Sequence, residues 1–203
     1  MRRFAITHDY LCPFARNAAE VVVRALEADA PVAAENQVDF RAFSLSQVHL
    51  EDGEAPVWQP GTEPRSGVLA LQWGLAVRDE LPERFPEVHL ALFAARHDHG
   101  RDLNDPAVVA AAVASAGVDP DEVAKLVAAG TPAASLAADH TWAVETSRVF
   151  GVPTFVTDRR AVFVRLMERP ATPEAASATL ERVLAMVEDW PDLNEFKATA
   201  IPR

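Results

Sequence analysis

The single cysteine of the chain, Cys12, lies in the stretch DYLCPFAR at 9–16. A cysteine side chain becomes a nucleophile when it loses its proton, because the thiolate rather than the thiol attacks disulfides and other electrophiles. Pro13 is typical of the first turn of a helix, where its missing N–H costs no hydrogen bond. The unpaired N–H groups of that turn favour negative charge. The sequence therefore predicts a thiol at the start of a helix, where its thiolate can be stabilised.

Charged side chains near Cys12 act on such a thiolate in opposite directions. Arg16 lies one helical turn further along and can place a positive charge on the same face. It is equally consistent with a solvated helix residue. Asp9 either opposes the positive charge as a site residue or caps the first helix. The sequence leaves the balance between these charges open.

The histidines are weaker candidates. His8 shares a strand face with Phe4 and Ile6, which favours a packed histidine over a proton shuttle. The stretch RHDHGRD at 96–102 has two histidines that are two positions apart, and such a pair does not share a helix face. No cysteine or tight carboxylate–histidine set completes a metal site there. We therefore predict no metal, and we keep His97 as a side chain that points from the helical region toward the thiol.

Alternation and helical periodicity predict the elements that hold these residues. Residues 3–8 and 37–43 alternate apolar and polar side chains, which indicates strands. Apolar residues recur at helical spacing from Pro13 to about Ala30. A strand–helix–strand unit of this kind places its two strands parallel with a right-handed crossover.

The remaining chain predicts a block of helices followed by a hairpin. After a loop at 51–66, helices are expected from about residue 67 to 150. A capping side chain before a proline marks helix starts in this region at Asp105, Asp119 and Thr131, and it marks a later helix start at Thr172. GVPTFV at 151–156 and AVFVRL at 161–166 predict two strands joined by a turn, and a helix from Thr172 to about Glu188 follows. We expect one domain at 1–60 and 150–190, a helical insertion at 61–149 and a tail at 191–203.

Composition limits the classes of partner. The formal net charge of −11 leaves no basic face for nucleic acid or for an anionic membrane surface. No apolar run approaches the roughly 20 residues that span a bilayer, and the N-terminus is too short in apolar residues for a secretion signal. A single cysteine suits a reducing compartment. We therefore expect a cytoplasmic protein.

The element order and two motifs, CPFA at 12–15 and GVPTF at 151–155, resemble the DsbA-like thioredoxin-fold family. The chain is most similar to the cytoplasmic branch with FrnE-like and mycothiol-dependent reductases. Kappa-class glutathione transferases and 2-hydroxychromene-2-carboxylate isomerases are more distant relatives. The resemblance implies an α/β thioredoxin fold with a helical insertion domain between its βαβ and ββα halves. Relatives with this insertion are often dimers, so a homodimer is possible.

The same resemblance implies roles for particular residues. Cys12 matches the nucleophilic cysteine, and Ala15 stands where the family has its resolving cysteine. A cis-proline at Pro153 would expose the backbone of Val152 to a bound cysteinyl substrate. The implied thiol- or substrate-binding residues are Pro13, Phe14, Val152, Pro153 and Thr154.

With one thiol, a mixed disulfide on Cys12 needs an outside thiol to resolve it. We predict a thiol oxidoreductase that has no tightly bound cofactor and uses a low-molecular-weight thiol, mycothiol or glutathione, as co-substrate. One alternative is a thiol transferase or isomerase that acts on a small electrophile. Another is a catalytically degenerate binding protein. A depressed thiol pKa would favour the enzymes, and a buried Cys12 with a normal pKa would favour the binding protein.

Overall fold

A computed structural model of the chain describes residues 1–28, 30–195 and 197–198. Its first part consists of strand β1 (Arg2–His8), helix α1 (Pro13–Ala28), a short helix α2 (Ala30–Glu35) and strand β2 (Asn36–Ala42). The strands β1 and β2 are parallel along their whole length. The predicted strand–helix–strand unit is therefore confirmed, and Cys12 lies directly before the first residue of α1.

Helices fill the chain between the two halves of the sheet. After the single turn α3 (Leu45–Val48) come α4 (Val68–Glu80), α5 (Phe85–His97), α6 (Pro106–Ser115), α7 (Pro120–Ala128) and α8 (Thr131–Thr141). A 3₁₀ turn at Pro82–Arg84 precedes α5, and a π-helical turn at Trp142–Thr146 follows α8. The predicted helical region is confirmed. The exact domain boundaries at 61 and 149 remain a prediction.

The second half of the sheet consists of β3 (Thr154–Val156) and β4 (Ala161–Phe163), and helix α9 (Pro173–Asp189) follows it. The strand order is β2-β1-β3-β4, and β3 is antiparallel to both of its neighbours. The predicted hairpin is confirmed, with strands shorter than the stretches 151–156 and 161–166. The whole is an α/β thioredoxin fold with helices inserted between its βαβ and ββα halves.

Three of the four predicted helix starts are confirmed. The side chains of Asp105, Asp119 and Thr172 accept backbone N–H groups in the first turns of α6, α7 and α9. The prediction for Thr131 is wrong, because α8 begins at Thr131 itself and Gly130 is the capping residue. Gly130 has a φ of 86°, a left-handed conformation that glycine adopts without steric cost.

The core fixes α1 against the sheet. α1 packs against α9, and the apolar side chains between these helices and the sheet are almost fully buried. Examples are Ile6, Val22, Phe155 and Leu180, with exposures of 2% or less. Burial of each such side chain contributes roughly 1.5–3 kcal/mol. The N-terminus of α1 is thereby held in place beside the loop that leads into β3.

Asp139 joins the inserted helices to the end of β2. Its side chain is 2% exposed, and its two oxygens accept hydrogen bonds from the backbone N–H of Ala42 and from the guanidinium groups of Arg41 and Arg78. A buried carboxylate needs partners of this kind, because desolvation of an unpaired charge is costly. The contact anchors α8 to the sheet edge.

A second contact between sheet and helices is formed by aromatic rings. We call His8, Tyr10, Phe85, His89 and Phe93 the junction cluster. The ring centroids of His8 and His89 are 4.5 Å apart, and Tyr10 lies 4.8 Å from Phe93. The Tyr10 hydroxyl is hydrogen-bonded to Nδ1 of His89 at 2.9 Å. The cluster thus fixes α5 on the end of β1, just before the thiol.

The predicted tail at 191–203 is only partly described. Arg160 binds the carbonyl oxygens of Trp190 and Leu193, at 2.9 Å and 3.0 Å, and so holds the start of the tail against the hairpin. Positions 196 and 199–203 of that prediction lie outside the described residues. Among the described residues, no helix has both the length and the apolar character needed to cross a membrane.

Candidate active site

The thiol of Cys12 lies between the start of α1 and the loop before β3. Its Sγ donates a hydrogen bond to the carbonyl oxygen of Val152 at 3.3 Å. The peptide bond between Val152 and Pro153 is cis. Backbone N–H groups of Phe14 and Ala15 point toward Sγ and favour its ionised form. The structure therefore brings together Cys12 and the Val152–Pro153 pair from opposite ends of the chain.

The remaining predicted contact residues surround this pair. Pro13 is exposed and Phe14 is half-buried, so both form the outer side of the site. Thr154 is 3% exposed and donates its backbone N–H to Oγ1 of Thr7 at 3.0 Å. Its hydroxyl donates to the Gly151 carbonyl at 2.7 Å. Thr154 thus holds the loop that carries Val152 in place.

Burial decides the ionisation of Cys12. The residue is 8% exposed, and this burial raises the pKa of its thiol above the ordinary value. The N–H groups of Phe14 and Ala15 lower the pKa, and so does the charge of Arg165, whereas Asp9 raises it. The balance that the sequence left open is in favour of the neutral thiol. Stabilisation by the helix N-terminus is present but is outweighed by desolvation.

Asp9 lies beside the thiol as a fully buried carboxyl group. Oδ1 accepts the N–H of Leu11 at 2.9 Å, and Oδ2 accepts the N–H of Leu45 at 2.8 Å. Burial raises the pKa of Asp9 to about 6, against the effect of these two hydrogen bonds. Both bonds lie outside α1, so the predicted cap of the first helix is wrong. Asp9 instead ties the loop before Cys12 to the start of α3.

Arg16 fits neither of its predicted roles. It is 6% exposed, so it is not a solvated helix residue. Its guanidinium forms ion pairs with Asp98 and, at 3.7 Å, with Glu20. These two carboxylates compensate the positive charge of the guanidinium, which was expected to face the thiol. Arg16 therefore joins α1 to the end of α5.

Arg165 is the charged neighbour of the thiol that the sequence analysis missed. Its guanidinium carbon lies 5.2 Å from the ring centre of Phe14 and 6.0 Å from that of Phe163. The signal was the spacing of Phe163 and Arg165, because side chains two apart on a strand share a face. The N–H of Val164 donates to the carbonyl oxygen of Pro153 at 3.1 Å and continues the pairing of β3 with β4 by one residue. Only this register shows which face lies toward Cys12.

The two candidate histidines have different surroundings. Nε2 of His97 donates to the carbonyl oxygen of Tyr10 at 2.9 Å, so this side chain does reach the loop before Cys12. Burial lowers the pKa of His97. His8 is 3% exposed within the junction cluster, which confirms a packed histidine. Burial lowers its pKa to about 3. In the described part of the chain, no group of three or more His, Cys, Asp or Glu residues could hold a metal ion.

Comparison with known proteins agrees with this fold. The family described as DSBA-like thioredoxin domain matches residues 6–169. No curated protein gives a significant match. A probable DsbA oxidoreductase from Streptomyces coelicolor is a similar solved structure, with 20% identity, full coverage of both chains and a TM-score of 0.63. At these low identities, solved structures support the fold alone.

Two further solved structures have the same fold. One is the cytosolic disulfide reductase DsbM from Pseudomonas aeruginosa with GSH, at 16% identity and a TM-score of 0.59, covering 90% of this chain and 98% of the other. The other is a thioredoxin-like oxidoreductase from Silicibacter pomeroyi, at 18% identity and a TM-score of 0.59, covering 92% and 86%.

Proposed function

The chain belongs to the family of DSBA-like thioredoxin domains, and from that membership we propose that it is a thiol oxidoreductase that works with Cys12 alone and an external low-molecular-weight thiol. The observation that carries the proposal is the position of Sγ. It lies at the N–H groups that open α1 and 3.3 Å from the Val152 carbonyl. The similar structure of the cytosolic disulfide reductase DsbM with GSH supports a small-thiol partner.

The reaction proceeds in two exchanges. The Cys12 thiolate attacks one sulfur of a small disulfide, a mixed disulfide forms on Cys12, and the other half leaves as a thiolate. A second, external thiolate then attacks the mixed disulfide and releases Cys12 with formation of a new disulfide. Ala15 cannot supply this second thiol, and the sequence contains no other cysteine. Glutathione and mycothiol are the candidate external thiols.

The raised pKa of Cys12 sets the rate of the first exchange. Only a small fraction of the thiol is ionised at neutral pH, so we expect a low rate of exchange there. The ionised fraction is a strong nucleophile, because nucleophilicity increases with thiol pKa. The enzyme is therefore expected to become faster as the pH rises through the alkaline range.

A second candidate function is binding without turnover in the same groove. The observation in its favour is that Cys12 is 8% exposed with a raised pKa. A buried, neutral thiol is typical of a structural cysteine. A transferase or isomerase acting on a small electrophile has no specific contact in its favour beyond the shared site.

We further infer a cytoplasmic location, supported by the DsbM protein that is described as cytosolic.

The test compares native and urea-unfolded protein. Iodoacetamide alkylation of Cys12 is measured against pH, and mixed disulfides with glutathione disulfide and mycothiol disulfide are counted by mass spectrometry. We expect native Cys12 to react fully, at a rate that still rises above pH 9, and to accept one small thiol that excess thiol removes. Cys12→Ser is the control for labelling elsewhere. A thiol that reacts only after unfolding supports the binding protein and overturns the oxidoreductase.

A further inference from the structure

Arg165 lies exposed beside the thiol, and its guanidinium rests on aromatic rings. Within residues 1–28, 30–195 and 197–198, no Asp or Glu forms an ion pair with its guanidinium. It rests instead on the faces of Phe14 and Phe163. Cation–π contacts of this kind fix a guanidinium without neutralising it. The charge therefore remains available to a ligand at the Cys12 site.

The neighbouring arginines behave differently. Arg16 is paired with Asp98 and Glu20, and Arg169 contacts the same two carboxylates at 3.7 Å and 3.5 Å. Their positive charges are thus compensated within the protein. In a chain with a net charge of −11, Arg165 places a positive charge on the outer side of the thiol.

Aromatic side chains extend the surface around Arg165. Phe150 is 75% exposed, and its ring lies 5.3 Å from that of Phe163. Phe14 and Phe163 contact the guanidinium of Arg165, and Phe150 extends this apolar surface, which begins at Phe14, two residues after Cys12. A ligand that suits this surface has a sulfur for Cys12, an apolar or backbone-like part for the rings and an anionic group for the guanidinium. Guanidinium groups bind carboxylates through paired, charge-assisted hydrogen bonds.

We propose that Arg165 binds the carboxylate of the small thiol or disulfide at Cys12, so that the site selects anionic thiols over neutral ones. This inference rests on the proposed thiol oxidoreductase and names its substrate class. Of the two candidate thiols, glutathione carries carboxylates and mycothiol carries none, so the inference favours glutathione. In the exchange, the Cys12 thiolate attacks the sulfur of a carboxylate-bearing disulfide. A Cys12–S bond forms, the S–S bond of the disulfide breaks, and the second half leaves as an anionic thiolate. No further oxidant or reductant takes part.

The experiment uses two aromatic disulfides that differ in charge. Dithiobis(nitrobenzoate) carries two carboxylates, and dithiodipyridine is neutral, and each releases a coloured thiol when Cys12 attacks it. The measured quantity is the ratio of the two second-order rate constants at one pH. This ratio cancels any change in the ionised fraction of Cys12, because both reagents react with the same thiolate.

The variants are Arg165→Gln and the matched control Arg169→Gln, which removes the same unit of charge from a compensated position. We expect Arg165→Gln to lower the anionic-to-neutral ratio about 5-fold at low salt and less at high salt. Arg169→Gln should change the ratio by less than about 2-fold. Equal changes of the ratio in both variants would overturn the proposal, because the effect would then come from the net charge of the protein. An unchanged ratio in Arg165→Gln would overturn it as well, because Arg165 would then not contact the anionic reagent.

A second measurement separates this proposal from the reactivity of Cys12. In the Cys12→Ser background, binding of S-methylglutathione and of its dimethyl ester is titrated by NMR. Arg165→Gln should weaken binding of the acid several-fold and leave that of the ester unchanged. If native Cys12 reacts with neither disulfide, the oxidoreductase fails while this titration still decides the role of Arg165. Equal affinity for acid and ester in the parent would overturn that role.

Discussion

The junction cluster and the Cys12 site lie next to each other in the sequence but differ in the way their polar groups are surrounded. His8 and Tyr10 point between the sheet and the inserted helices and are 3% and 0% exposed. Cys12 and Phe14 lie near an edge of the molecule, where the exposed Arg165 rests on the ring of Phe14. Neighbouring residues between β1 and α1 are thus surrounded by packed rings on one side and lie beside an exposed cation on the other.

The difference also concerns unsatisfied hydrogen-bonding groups. In the described part of the chain, Nδ1 of His8 and Nε2 of His89 are buried without a hydrogen-bond partner. Burial lowers the pKa of both histidines, because desolvation disfavours the charged imidazolium form. At the Cys12 site, by contrast, N–H groups and a guanidinium favour the charged form of the thiol. The junction cluster excludes charge, and the Cys12 site partly accommodates it.

The largest expected effect comes from crowding the junction cluster. In Gly74→Ala, the added Cβ would lie 2.3 Å from the Tyr10 hydroxyl, and the fully buried tyrosine ring cannot move away. We expect a loss of about 3 kcal/mol in the free energy of unfolding, measured by urea denaturation. Gly151→Ala, whose Cβ would meet Phe163 at 3.5 Å, is the control and should cost less than about 1 kcal/mol. Equal losses would mean that the junction is no more tightly packed than the site edge.

Acid should destabilise the protein through the junction cluster. Because His8 has a pKa of about 3 in the fold and 6.5 as its ordinary value, the unfolded chain binds a proton in this window that the folded chain does not. Stability therefore falls as the pH falls from about 6.5 toward 3. His8→Phe should reduce the slope of unfolding free energy against pH by up to about 1.4 kcal/mol per pH unit. Phe93→Leu disturbs the same cluster without removing an ionisable group.

Asp9 also contributes to the pH dependence of the free energy of unfolding. Its pKa of about 6, raised from 3.8, acts in the opposite direction, because between these values the folded chain holds a proton that the unfolded chain releases. The difference between the wild type and His8→Phe removes this common contribution. A slope in His8→Phe equal to that of the wild type, or one that Phe93→Leu lowers as much, would show that His8 is not the acid-sensitive group.

The smallest effect on stability is expected at the edge of the Cys12 site. Phe150→Ser replaces a side chain that is 75% exposed, so the free energy of unfolding should change by less than about 0.5 kcal/mol. The reaction of Cys12 with dithiodipyridine should nevertheless become about 2-fold slower, because an aromatic contact is lost. A stability loss above 1 kcal/mol would place Phe150 with the core.

The sequence predicted the elements of this fold well because each depends on local pattern. Alternation in β1 and β2, helical periodicity in α1 and proline-marked starts of α6, α7 and α9 are all readable without tertiary contacts. Thr131 was misassigned because a glycine directly before it supplies the start. In the site, Cys12 and Pro153 were found because their motifs are local.

The charges around the thiol could not be predicted in the same way. The burial of Arg16 depends on Asp98, which is 82 residues away and is brought near by α5. The proximity of Arg165 to Phe14 depends on the hairpin register. The pKa of Cys12 is a difference between burial and several opposing contacts, and that sum exists only in the folded chain.

Ala15 has a consequence for the mass of the oxidised protein. Its side chain is 1% exposed and its N–H points toward Sγ, so α1 presents a methyl group where a second thiol would close a ring. With no internal disulfide available, each Cys12 that is oxidised by disulfide exchange remains in a mixed disulfide with the thiol that it has taken from its substrate. The mass that this thiol adds to the protein identifies the last substrate, and mass spectrometry of protein isolated from cells measures it directly.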